Sequence, residues 1–260
     1  MSNLLAGKVA VVTGGYTGIG RIISDTLASN GVSLALTART SSDLEQYATG
    51  LRRRGVDVRW FVADVSEPEG ASGFIEYIAC EFGRIDYLFN CAGVYKPSTP
   101  EDAPEVLGEL MRANLQSKVL VCSRAFPVMK KSGGGHIINI SSIAALKPEL
   151  EGSLAYGTSM QAVNRYTEGL NIEGKRCGIK AHALALGTVD TPRTRRDFTQ
   201  LARKKLAESG LTEESITEED LDRFFRGIMV SPQDLSELVL DLIRNPDRYP
   251  VIHEHSKGSI

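Results

Sequence analysis

The stretch Lys8-Val9-Ala10-Val11-Val12-Thr13-Gly14-Gly15-Tyr16-Thr17-Gly18-Ile19-Gly20 decides how the rest of the chain is read. Residues 8–13 are a short apolar run with hydrophobic side chains at consecutive positions. That is the signature of a strand covered on both faces in a parallel sheet. The run passes directly into three spaced glycines and then into a helical pattern. Gly14 permits the tight turn, Gly18 lets a pyrophosphate approach the backbone, and Gly20 lets the helix pack close to the strand. The helix N-terminus turns unpaired N–H groups and the positive end of its dipole toward such an anion. A lone glycine run also describes an ordinary tight turn. Its place after a strand, opening a helix, points to dinucleotide binding through Gly14, Thr17, Gly18, Ile19 and Gly20.

Downstream, short runs rich in Val, Ile and Leu recur at 32–37, 56–62, 85–90, 136–141 and 179–186, with a weaker one near 249–253. Helical patterns fill the gaps, the longest at 105–131 and 153–176. Ser42-x-x-Glu45 and Ser66-x-x-Glu69 read as capping boxes, and Ser231-Pro232-Gln233-Asp234 as an N-cap followed by proline at the first helical position. Alternation through the whole chain, with no linker or repeat, predicts one α/β domain over 1–260. The expected architecture is a Rossmann fold, a doubly wound parallel sheet of about seven strands with helices on both faces.

Composition narrows the function. Lys and Arg total 30 against 32 Asp and Glu, a net charge near −2. There is no global basic field, so nucleic acid and anionic membranes are not expected partners. No apolar run is long enough to span a bilayer, and the start lacks the basic and apolar regions of a secretory leader. Cys80, Cys91, Cys122 and Cys177 are scattered, which fits a reducing, cytoplasmic setting and no zinc site.

The second strand ends in Thr37-Ala38-Arg39-Thr40. An NAD site usually places an acid there to hold the ribose 2′-hydroxyl, and none is present. Arg39 suits the 2′-phosphate of NADP through charge-assisted hydrogen bonds, so NADP is expected ahead of NAD. Asp64 and Val65, after the third strand, are placed to meet the adenine, although Asp64 equally suits helix initiation.

Taken in order, these motifs resemble the short-chain dehydrogenase/reductase family, over residues 7 to about 245. The glycine loop is Thr13-Gly14-x-x-x-Gly18-x-Gly20, and the strand-4 motif is Asn90-Cys91-Ala92-Gly93. The helix asparagine is Asn114, the serine pair is Ser141-Ser142, and the tyrosine is Tyr156. The resemblance implies that Ser142 orients a substrate carbonyl, Tyr156 exchanges a proton with its oxygen, and Asn114 supports a proton relay. It also implies cofactor contacts from Asn90, Ala92, Gly93, Tyr156, Gly187, Val189 and Thr191, and a homodimer or homotetramer. The Pro-Gly usual after the sixth strand is Leu186-Gly187 here, which removes no catalytic group.

One departure touches the chemistry. The family pattern Tyr-x-x-x-Lys reads Tyr156-Gly157-Thr158-Ser159-Met160. Residues i and i+4 share a helix face, so Met160 stands where the lysine should. Methionine keeps the volume but has no charge and no N–H donor. Tyr156 loses a cation that would favour its phenolate, and the nicotinamide ribose loses a charge-assisted hydrogen bond worth about 1.5–3 kcal/mol. Lys147 and Arg165 are the nearest basic residues, and neither is assigned the missing role. A natural loss, redox chemistry with a weakened relay, and an introduced Lys→Met change all remain open.

Residues 193–228 are expected to form a substrate lid, basic first and acidic later. They read as two amphipathic helices pairing their charges, or as a basic mouth for an anionic or carrier-bound substrate. Phe198, Phe224, Phe225 and Met229 would supply either a pocket lining or the helices' buried stripe. His253 and His255 lack a third ligand and are expected to be a terminal pair, not a metal site. The reaction class expected is NADP(H)-dependent interconversion of a carbonyl and a hydroxyl on a small molecule. The alternative is an NADP-binding, non-redox or non-catalytic relative: a sensor, partner subunit, lyase or isomerase.

Overall fold

The computed structural model describes residues 5–148, 151–212 and 215–257. Seven strands form one sheet: β1 (Val9–Thr13), β2 (Ser33–Ala38), β3 (Val58–Val62), β4 (Tyr87–Asn90), β5 (Gly135–Ser142), β6 (Ile179–Leu186) and β7 (Ile252–His255). Their spatial order is β3-β2-β1-β4-β5-β6-β7, and every pairing is parallel. The chain winds outward from β1 to β3, then returns to β4 on the other side of β1. Two crossovers of opposite direction therefore leave a crevice at the carboxyl ends of β1 and β4, the place where such sheets bind ligands.

The five inner strands, β2, β1, β4, β5 and β6, bury both faces, while the edge strands β3 and β7 are only partly covered. Ala10 and Val12 point to one core with Leu34, Leu36, Ile138, Ile140 and Leu184, covered by helices α1 (Gly18–Ser29), α2 (Ser42–Arg53) and α9 (Pro232–Arg244). Val11, Ala35, Leu88, Ile137 and Ala181 point to the other. That side is covered by α3 (Pro68–Phe82) and α5 (Ser117–Lys131), while α6 (Leu154–Gly174) packs against β5 and β6. This two-sided burial is why the strands read as continuous apolar runs instead of alternating ones.

The seventh strand begins three residues later than its apolar run suggests. Pro246–Arg248 form a 3₁₀ turn, and Pro250 has no N–H to give a ladder. The 105–131 pattern is continuous but not uniform. α4 (Ala103–Leu110) passes through a π-helical turn, Met111–Gln116, into α5. The two early capping boxes do not form. Ser41, not Ser42, stands at the N-cap of α2 and makes no side-chain bond, and the Ser66 hydroxyl is donated to Asp64. Two boxes do form, Thr217 with Asp220 at α8 (Glu218–Ile228) and Ser231 with Asp234 at α9. Among the described residues no helix is long and apolar enough to cross a membrane.

Candidate active site

The glycine loop lies at the crevice. Gly14 and Gly18 have φ of 65° and 52°, conformations that favour glycine. A Cβ on Gly14 would stand 3.4 Å from the Ala92 backbone, one on Gly20 would strike the Gly14 carbonyl, and one on Gly18 would face open space. Thr17 is the N-cap of α1 but makes no side-chain cap, and the first turn carries no acid. The helix end therefore offers free N–H groups and no repelling charge, and the donor set fits a dinucleotide pyrophosphate. Ile19 packs inward against the α1 side of the sheet. The Ala92 N–H donates to the Thr13 hydroxyl at 3.0 Å, locking the loop after β4 to the end of β1.

Arg39 is exposed just past β2. Asp64 accepts hydrogen bonds from the Ser66 N–H (2.9 Å) and hydroxyl (2.7 Å). Burial raises the Asp64 carboxyl, but these bonds and the nearby Arg39 and Arg112 outweigh it and hold the group below its usual range. Asp64 thus initiates the turn into α3 while facing the crevice end beside buried Val65. The Asn90 side chain is turned into the protein. Its Nδ2 donates to Asn139 Oδ1 (2.9 Å) and Cys122 Sγ (3.2 Å), so only its backbone faces the crevice.

The serine pair divides as its spacing suggests. Ser141 is buried and donates to the Met160 carbonyl at 3.4 Å. Ser142, at the open end of β5, accepts the Ala144 N–H at 3.2 Å. Tyr156 sits in the first turn of α6, where Gly157 permits unusually close packing. A Cβ at Gly157 would lie 2.5 Å from the Ala144 carbonyl oxygen. The Ser98 hydroxyl accepts the Ala155 N–H at 2.9 Å and anchors that turn. Tyr156 is thereby brought to Ser142. Burial raises its phenol, hydrogen bonding with Ser142 lowers it, Tyr95 raises it, and the net shift is upward. No cation contributes. Met160 lies one turn on, 5% exposed.

Asn114 is fully buried in the π-helical turn. Its Oδ1 accepts the Val94 N–H (2.8 Å), and its Nδ2 donates to the Val94 carbonyl (3.0 Å) and to Ser159 Oγ (3.1 Å). Ser159 in turn donates to the Tyr156 carbonyl at 2.8 Å. The side chain therefore ties the loop after β4 to the tyrosine helix.

Beyond β6, Gly187 packs against the chain after β7. A Cβ there would meet Ser256 at 2.8 Å. Val189 is buried and bridges to Val230, and Thr191 caps α7 (Pro192–Glu208) by accepting the Thr194 N–H. Several of the charges on α7 and α8 are paired. Arg195 binds Asp190 through two bonds (2.6 and 2.7 Å) and Asp222 at 2.8 Å, while Arg193 meets Asp197. Phe225 and Met229 form a small core with Ala202, Ile216 and Leu221, and Phe198 and Phe224 pack on it. These aromatics are the inward-facing stripe of α7 and α8. Among the described residues no cluster of three metal-ligating side chains exists, and His253 and His255 stack on each other at the sheet edge.

Sequence reading missed three contributors. Tyr95 stands edge-on to Tyr156 with ring centroids 5.0 Å apart. Ser98 was silent because its partner is 57 residues away. Lys118 is 2% exposed, although lysine is rarely buried without a partner. Only its spacing, four residues after Asn114, could have drawn notice.

A glycine-floored anion cradle beside a serine–tyrosine pair, at the switch point of a doubly wound sheet, defines the nicotinamide-dependent oxidoreductase class. The chain belongs to the short-chain dehydrogenase family, whose pattern matches residues 8–202. It is 35% identical over 204 residues to an uncharacterized oxidoreductase of Staphylococcus saprophyticus, covering 78% of this chain and 86% of that protein. It is 32% identical over 192 residues to a 7α-hydroxysteroid dehydrogenase of Clostridium sardiniense, covering 72% of each. The L-sorbose reductase of Gluconobacter frateurii, solved with NADPH and L-sorbose, superposes with a TM-score of 0.83 at 26% identity. That match covers 99% of this chain and 98% of the reductase. The protein is an enzyme of the short-chain dehydrogenase/reductase type.

Proposed function

We propose that this enzyme uses NADP(H) to interconvert a carbonyl and a hydroxyl on a small organic molecule, as a ketoreductase. The observation that carries this is Tyr156 brought to Ser142 at the mouth of the glycine-floored crevice. Arg39, exposed where an acid would select NAD, supports NADP, as does the NADPH bound by the sorbose reductase. The nicotinamide, when bound, supplies or takes up the hydride. Ser142 donates a hydrogen bond to the substrate oxygen, and Tyr156 holds the proton that this oxygen gains or loses. The raised Tyr156 phenol favours its neutral, proton-bearing form. Asn114 positions the Val94 loop and, through Ser159, the tyrosine helix.

The second reading, nucleotide binding without redox turnover, is favoured by Met160, which leaves Tyr156 with no cation. The test is NADPH oxidation over a panel of ketones and quinones by this protein and by Met160→Lys. The lysine variant is expected to gain at least about a hundredfold. If both bind NADPH and neither turns over, the non-redox reading replaces the redox one. We also expect a homodimer or larger homo-oligomer through α5 and α6, where Leu154 and Ile172 are 50% and 62% exposed. A single monomeric species by sedimentation would refute that.

A further inference from the structure

Lys118 reaches from α5 toward the loop after β4, and its Nζ donates to the Ala92 carbonyl at 2.9 Å. It forms no ion pair among the described residues, an arrangement normally too costly to keep in a core without a purpose. A Cβ on Gly93 would lie 2.9 Å from Asn114 Oδ1 and 3.8 Å from Lys118 Nζ. Asn114 and Lys118, one helical turn apart, therefore bracket the Ala92–Val94 turn from below. Asn114 holds Val94, and Lys118 holds Ala92. Ala92 also meets Gly14, so the ammonium lies under the floor of the proposed cofactor crevice.

We propose that Lys118 is a positioning residue of the cofactor site, fixing the Ala92–Val94 turn and supplying the buried positive charge that the tyrosine helix lacks at Met160. The inference rests on the nicotinamide-nucleotide reading above. A charge in the interior is poorly screened and acts on an anionic ligand over a longer range than a surface charge does. The other titratable groups nearest the amine are Cys91 on the β4 loop and Cys122 on α5, with Tyr166 of α6 beside Cys122. Burial pushes both thiols up to about 12, so they stay neutral through the working range. Burial pushes the Lys118 ammonium down to about 8. Its charge is therefore present at neutral pH and is lost as pH rises through that value.

The experiment is calorimetric titration of NADPH into the intact protein and into Lys118→Met, between about pH 7 and pH 9.5, in two buffers of different ionisation enthalpy. Methionine keeps the volume and removes only the charge and the donor. The unmodified protein should bind more weakly as pH rises through about 8 and take up a fraction of a proton per nucleotide there. The variant should bind about tenfold more weakly at pH 7, an effect of the size that one poorly screened buried charge exerts. It should show no such proton uptake, and the two should converge at high pH. Equal affinity and equal proton uptake in both overturns the proposal and leaves the functional reading intact. If neither chain binds NADPH or NADH, both fall. Should the variant fail to fold, the unmodified protein still decides. Affinity without pH dependence across this range refutes the role.

Discussion

Replacing Met160 with lysine puts an ammonium one helical turn from Tyr156, on the same face of α6. Side chains at i and i+4 have Cβ atoms about 5–6 Å apart. At about 6 Å and an effective dielectric of about 20, a phenolate and an ammonium attract by roughly 2.8 kcal/mol. That corresponds to about two units on the tyrosine pKa. The starting point is a phenol raised by burial and by Tyr95, with only Ser142 opposing them. The rate-limiting group should therefore titrate about two units lower in Met160→Lys, and kcat/KM for alcohol oxidation at neutral pH should rise by about a hundredfold. The assay is the pH profile of kcat/KM in both directions, beside the ultraviolet absorbance change of Tyr156 taken as the difference from Tyr156→Phe. Part of the gain is offset because position 160 is buried and a lysine there loses hydration. A folded Met160→Lys enzyme whose tyrosine titration and oxidation rate both match those of the Met160 protein would refute the reasoning.

Other outcomes follow from the same geometry. Arg39→Ala should weaken NADPH by about ten- to a hundredfold, the loss of charge-assisted bonds to a 2′-phosphate, and leave NADH nearly unchanged. Equal losses for both nucleotides would remove the NADP assignment. His136 Nε2 and His182 Nδ1 are 2.7 Å apart inside the β5–β6 pair, and burial pushes His136 down to about 3. The unfolded chain takes up that proton near pH 6.5, so this stability is complete above about 6.5 and falls as pH drops toward 3. About 2 kcal/mol should be lost between about pH 6.5 and pH 5, measured by urea unfolding. His136→Gln should flatten that slope, and an unchanged slope would sink the idea. Arg195→Ala frees α7 and α8 from Asp190 and Asp222. It should raise KM several-fold and speed proteolysis within 193–228, with the tyrosine pH profile unmoved. Unchanged proteolysis would show that the latch does not hold the lid.

The lid and the buried histidines show where sequence reading stops. Nothing local tells that Arg195 lies between two carboxylates, one of them 27 residues further along the chain. His136 and His182 meet only because β5 and β6 pair in a given register, 46 residues apart. Asn90 sits in a motif associated with the cofactor, yet its side chain serves Asn139 of the next strand.

What the sequence by itself determined is whatever depends on neighbours along the chain. The alternating runs specify strands and helices, since burial on both faces imposes apolar residues at successive positions. Gly14, Gly18 and Gly20 specify the turn, since their backbone angles and close approaches exclude side chains. Tyr156 and Met160 share a helix face by periodicity alone. The tertiary structure decided the rest: which serine reaches the tyrosine, what Asn114 holds, and that Lys118 is buried beneath Ala92 and donates to its carbonyl. Those outcomes depend on contacts between residues 14 or more positions apart. They are set by packing whole elements together, and no local pattern of side chains encodes them.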